Sequence, residues 1–216
     1  MSSRPSTDGG SPSATATLRA IVEDATGEPL RIEDGTPPGH GGNDSGDGPG
    51  WSAAGGPTAL VGRNGGPSPT ERLRTLIESA SSLVAVVPRI ELELVDPLSS
   101  VIGGTTDAVS EPADSGPIEA RIVLTGTAAA RVAEPTGRMA LTAVEATDGV
   151  DLFVHDGDSP VGLLLVDDRA AVGLFDESGL AALLITDEDA VRAWVGRTVR
   201  RYLSGAREPS PASDRL

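Results

Sequence analysis

Lysine and cysteine are missing from all 216 residues, histidine occurs twice, and only two tryptophans, one tyrosine and two phenylalanines supply aromatic rings. Each absence closes a class of chemistry. Without lysine there is no P-loop amine, no Schiff base and no phospholipase-type His-Lys pair. Without cysteine, thiol catalysis, disulfides and thiolate metal sites are excluded. The two histidines, His40 and His155, are too few for a His-rich metal centre, so neither a metal nor any other cofactor is expected. Apolar runs fall short of the about 18 residues a membrane span needs, and the first ten residues carry no apolar signal segment. The expected location is the cytoplasm, with no membrane contact.

The charge is as one-sided as the composition. All 17 cations are arginine and they face 32 carboxylates, for a net charge of −15. Carboxylates keep a protein hydrated in molar salt, where the Debye length falls to roughly 3 Å, and this composition reads as that of a halophilic archaeal protein. Such a surface repels phosphates, and no cationic stripe of DNA-binding size offsets it, so direct nucleic-acid binding is not expected.

Residues 1–70 hold 15 of the 27 glycines and 9 of the 17 prolines. A segment with so little apolar surface does not offset an ordering cost of roughly 1–2 kcal/mol per residue, and residues 1–66 are expected as a disordered arm. Its one apolar stretch places Leu18, Ile21 and Val22 in a turn or two of helix that ends at Gly27 and Pro29, with Leu30 and Ile32 as a short docking strand. Residues 67–208 read as a single α/β (α+β) domain and 209–216 as a frayed tail.

Within that domain, Ser68-Pro-Thr-Glu71 is a helix-start signature, followed at helical spacing by Leu73, Leu76, Ile77 and Ala80. The β-branched runs 83–87 and 120–124 read as core strands, with helices predicted over 90–102, 128–134 and 138–146. Four short apolar segments, 150–154, 161–166, 170–175 and 180–185, are joined by brief polar turns and predict a four-stranded antiparallel meander in a mixed sheet. Thr186-Asp-Glu-Asp189 then opens an amphipathic closing helix with acids in its first turn and Arg197, Arg200, Arg201 and Arg207 toward its far end. Phe153, Phe175, Trp194 and Tyr202 fall on apolar faces and read as core.

The run from Val150 through Asp168 and Gly179 to Tyr202 resembles the C-terminal domain of haloarchaeal winged-helix transcription regulators of the methanogenesis-regulator type. Pro160, Gly162, Leu163, Asp167, Phe175, Asp176, Gly179, Leu180, Trp194 and Tyr202 fit that pattern, although Val161 stands where phenylalanine is expected. The resemblance covers about residues 69–208. It implies a sensing or dimerising body, with a homodimer or a separate winged-helix protein as partner and a small molecule as effector. The Gly-Pro-rich sequence before it cannot pack as three helices and a wing, so the expectation is a body without its DNA-binding head.

No catalytic set stands out. His155, Asp156, Asp158 and Ser159 lie too close in sequence to assemble a triad, and they read as turn chemistry at a strand mouth. Arg89 follows a buried strand where α/β ligand crevices open. Arg89, His155, Asp158 and Ser159 are therefore the candidate effector contacts, with no catalytic, metal or DNA-binding residue expected. Two alternatives stay open: a phospholipase-D-like, sugar-sensing regulator body without catalytic residues, or a small hydrolase using carboxylates such as Asp167 and Asp168.

Overall fold

The apolar run Gly179–Thr186 forms a strand in which every residue is buried, which requires cover on both faces of its sheet. The structure, a computed structural model, describes residues 12–32, 58–63, 67–89, 119–134 and 149–209. In chain order the elements are α1 (Ala14–Thr26), β1 (Ala59–Gly62), α2 (Pro69–Glu78), β2 (Ser82–Val87), β3 (Glu119–Leu124), α3 (Gly126–Ala133), β4 (Val150–Val154), β5 (Gly162–Val166), β6 (Arg169–Asp176), β7 (Gly179–Thr186) and α4 (Asp189–Gly205). The strands form one mixed sheet in the order β1-β7-β6-β5-β2-β3-β4. β2, β3 and β4 are parallel, while β5, β6, β7 and β1 pair antiparallel.

Side-chain alternation sends the two halves of each strand's residues into separate cores. On one face Leu18 and Val22 of α1 and Val191, Val195 and Val199 of α4 pack on Val86, Val123, Leu163, Val172 and Leu184. On the other, Leu73, Leu76 and Ile77 of α2 meet Leu83, Leu164 and Leu183, and Ala128 and Val132 of α3 meet Ile122, Leu124 and Leu152. The cap and early proline expected at the start of α2 turn out to be a full capping box: Glu71 N–H donates to Ser68 Oγ, and Ser68 N–H donates back to the Glu71 carboxylate at 2.8 Å.

Four expectations change. Residues 14–26 and 59–62, inside the segment expected as a disordered arm, are helix and edge strand: glycine and proline counts averaged over 66 residues hide the apolar stripe of α1, whose Leu18 and Val22 are fully buried. Gly27 does end that helix, at φ 73°, and Ile32 bridges Thr58. The meander has three strands, β5 to β7; β4 lies at the far edge beside β3. A seven-residue connector spans up to about 23 Å, against about 14 Å for three strand spacings, so its length never forced a hairpin.

Thr186 does not cap α4. Its Oγ1 hydrogen-bonds Thr58 Oγ1 at 2.7 Å and accepts from Glu188 N–H, and Glu188 spends its carboxylate on the Thr58 hydroxyl and Arg31 N–H. The helix N-cap, Glu188, makes no side-chain capping bond, and the last turn of α4 carries no base. Trp194, Tyr202, Phe153 and Phe175 pack against the cores but are only partly buried. The helices expected over 90–102 and 138–146 and the tail 210–216 lie outside the described residues.

Because Leu18 is fully buried, Leu18→Ala is expected to cost about 2–5 kcal/mol in urea unfolding at constant salt. A loss below about 1 kcal/mol would show that α1 is not part of the core.

Candidate functional site

Val87, Leu124 and Val154 end the three parallel strands on the same side of the sheet, and residues 155–161 cross over those ends on the way from β4 to β5. Backbone bonds fix the crossing. His155 N–H donates to Leu124 O at 2.9 Å, Gly126 N–H to Gly157 O at 3.3 Å, and Thr125 N–H to Val87 O at 3.0 Å. Ala128 N–H and Thr127 Oγ1 both donate to Pro88 O.

Gly126 is where these segments meet. Its φ of 51° is left-handed, and a Cβ there would lie 2.3 Å from Asp158 Oδ1 and 3.5 Å from Pro88 O. The Asp158 carboxylate thus sits against the first residue of α3, at the positive end of the helix dipole. Its Oδ1 also accepts from Ser159 N–H at 2.8 Å.

The loop is clamped from α4. His155 and Tyr202 meet edge to face with ring centroids 5.0 Å apart, and Tyr202 Oη donates to Asp158 O at 2.9 Å. Val154 and Arg207 exchange both backbone bonds, at 2.8 and 3.0 Å, while Arg207 Nη1 reaches Asp156 Oδ2 at 2.6 Å. That guanidinium holds the Asp156 carboxyl below its usual range, and the carboxylate raises Arg207 in return.

The four expected effector contacts share this end of the sheet, and each has a polar side-chain atom bonded within the fold. His155 Nδ1 accepts from Gly157 N–H at 2.8 Å, which requires that nitrogen to be unprotonated. Ser159 is buried and donates its hydroxyl to Val161 O at 2.7 Å. Arg89 follows Pro88, but its guanidinium turns to the β6–β7 turn and donates to Asp176 O. Asp176 is also forked by Arg63 at 2.7 and 2.8 Å, and the Arg63 guanidinium, then Ser178 N–H, lower its carboxyl. Backbone proximity therefore joins the Arg89 segment to the loop, while its side chain points elsewhere.

The acid pair Asp167-Asp168 lies at the opposite end. Asp167, at φ 50°, accepts from Ser81 N–H, Ser82 N–H and Ser82 Oγ, which locks the β5–β6 turn to the start of β2. Two residues escaped sequence reasoning. Gly126 and its fully buried neighbour Thr125, whose Oγ1 has no partner among the described residues, occupy the centre of the crossing. Their only signal was Thr-Gly-Thr directly after a β-branched run. Among the described residues no group of three or more His, Asp or Glu is placed to hold a metal, and no helix is long and apolar enough to cross a membrane.

The family model for the middle domain of the methanogenesis regulatory protein FilR1 matches residues 68–205. The chain belongs to this family. No curated protein matches it. Among solved structures, the fold resembles the phospholipase D family member Nuc from Salmonella typhimurium, with TM-score 0.52, 13% identity, and coverage of 71% of this chain and 98% of that one. NucT from Helicobacter pylori is similar at TM-score 0.52 and 12% identity, covering 70% of this chain and 98% of that one. TrmBL2, an archaeal chromatin protein, matches at TM-score 0.48 and 14% identity; the match covers 73% of this chain and about half, 55%, of that one. Identities this low speak to fold alone. In this FilR1 middle domain, a regulator-type domain, the lysine-free sequence contains no His-Lys pair at the strand ends.

Two predictions follow from this geometry. Gly126→Ala should cost at least about 1–2 kcal/mol from the left-handed backbone, with a further loss from the Asp158 contact. Adding Asp158→Ala should return only the contact part, and a double-mutant cycle in urea that shows no coupling would refute the juxtaposition. For pH, the lowered Asp156 carboxyl contributes stability that is complete above its ordinary value of 3.8 and is lost as pH falls through its lower folded value. Melting temperature should therefore drop in acid less steeply in Arg207→Gln than in the parent; an identical profile would show that the pair does nothing.

Proposed function

We propose that the chain is the non-catalytic sensing or dimerising body of a transcription regulator, acting with a separate DNA-binding partner. What carries this reading is the state of the loop over the strand ends. The Ser159 hydroxyl donates to Val161 O and the His155 Nδ1 lone pair accepts from Gly157 N–H, so the hydroxyl is not paired with the imidazole as a nucleophile is with its base. Membership of the FilR1 middle-domain family supports the regulatory setting.

In this role Arg89, His155, Asp158 and Ser159 frame the effector end of the sheet. An effector that displaces the 155–161 loop must also strain its ties to Tyr202 and Arg207. Those ties lead to α4, whose outer face exposes Arg197, Arg200 and Arg201 to a partner. The loop and helix then form one element on which a ligand and a partner can both act.

The test is purification of the tagged full chain in molar salt, with mobility shift on promoter DNA and turnover of generic ester and phosphodiester substrates. A winged-helix protein should be retained, DNA should shift only in its presence, and no turnover should depend on His155. Turnover abolished by His155→Ala, or tight sequence-selective DNA binding by the chain alone, would overturn the proposal.

A further inference from the structure

A second concavity opens at the same end of the sheet, on the β1 side. Its volume is about 430 Å³, and it is lined by Ser13, Ala14 and Thr15 at the start of α1, Gly62 and Arg63 at the end of β1, Asp176 of β6 and Ala181 of β7. Sites for small organic ligands span roughly 300–1,000 Å³, so the space suits a molecule of modest size. The floor is tight: a Cβ on Gly62 would lie 2.8 Å from Thr15 Cγ2, so α1 rests directly on the end of β1. Ala14, Gly62 and Ala181 make one side of it apolar.

Hydrogen-bond capacity on the rim is lopsided. Both oxygens of the Asp176 carboxylate are engaged, Oδ1 by Arg63 and Ser178 N–H and Oδ2 by Arg63. Asp176 O takes the Arg89 guanidinium. Each guanidinium carries about five N–H donors, and the described contacts use two on Arg63 and one on Arg89, while the Ser13 and Thr15 hydroxyls bond each other, so the rim keeps guanidinium donors to spare beside a carboxylate whose oxygens are both engaged. Glu177, next in the turn, is exposed and does not line the space. A guest that supplies acceptors fits this rim, and a planar carboxylate matches a guanidinium best.

We infer that this cavity binds a short-chain organic carboxylate, its charged end on Arg63 and its alkyl part against Ala14 and Ala181. The inference gives the sensing role proposed above a ligand class, and it rests on that role only for calling the ligand an effector. Occupancy would place a ligand beside Asp176, and through Arg89 beside the segment that carries Pro88 to Gly126 and the 155–161 loop.

The experiment titrates the full chain with sodium hexanoate, hexylamine and inorganic phosphate at constant molar chloride, read by saturation-transfer NMR and melting temperature. Hexanoate should bind saturably. Arg63→Gln and Ala14→Leu, the second of which narrows the space without removing a charge, should each raise its Kd at least about tenfold. Arg121→Gln, exposed on β3, should leave it unchanged. No hexanoate binding by the folded chain, equal binding by both cavity variants, or preference for hexylamine or phosphate would each overturn the inference. Partner retention is read in a separate assay, so failure of the cavity and failure of the regulator role cannot be confused.

Discussion

Burial of β7 on both faces is the constraint from which the rest of the architecture follows. A strand whose eight residues are all shielded from water cannot lie at an open surface, so one helical layer must form above the sheet and another below. α2 and α3 supply one layer. The opposite layer needs α4 and, to cover β6 and β7, α1, which comes from the sequence most loaded with glycine and proline. Residues 14–26 are drawn into the fold because Leu18 and Val22 cover apolar side chains of β6 and β7. Ion pairs contribute little beside this: the six Arg–carboxylate pairs among the described residues are all substantially exposed.

The second organising feature is the reversal of direction between β4 and β5. Three parallel strands end together, and the chain must pass over those ends to reach the antiparallel half of the sheet. Such a crossing passes over exposed backbone groups and the dipole of α3. It is held by backbone bonds to Leu124 and Gly126, by the Asp158 carboxylate against Gly126, and by Tyr202 and Arg207 from the end of α4. In open α/β sheets, ligand crevices form at a reversal of this kind. Here His155, Asp158 and Ser159 each direct one polar atom into the crossing itself.

The two sides of this sheet end are joined by a short stretch of chain. Arg89 reaches from the end of β2 to the β6–β7 turn, where Arg63 and the cavity lie, while Pro88 anchors the first turn of α3. The cavity side and the loop side of one sheet end therefore share the short segment 87–89.

The sequence by itself determined the layered α/β class, the strands 83–87 and 120–124, the capped helix start at Ser68, and the membership of a regulator family. These rest on local periodicity, on β-branched runs and on turn residues whose preferences act within a few positions. It also determined what chemistry the chain lacks, since a missing lysine or cysteine is missing in any fold. Tertiary structure alone decided that α1 belongs to the core, that β4 leaves the meander for the far edge, and that Thr186 turns from capping α4 to bonding Thr58. It alone decided that Gly126, Asp158 and Pro88 converge while the Arg89 guanidinium turns to Asp176. In each case the deciding partner lies tens of residues away in the chain, and a pattern confined to one segment carries no information about which distant surface will compete for its side chains.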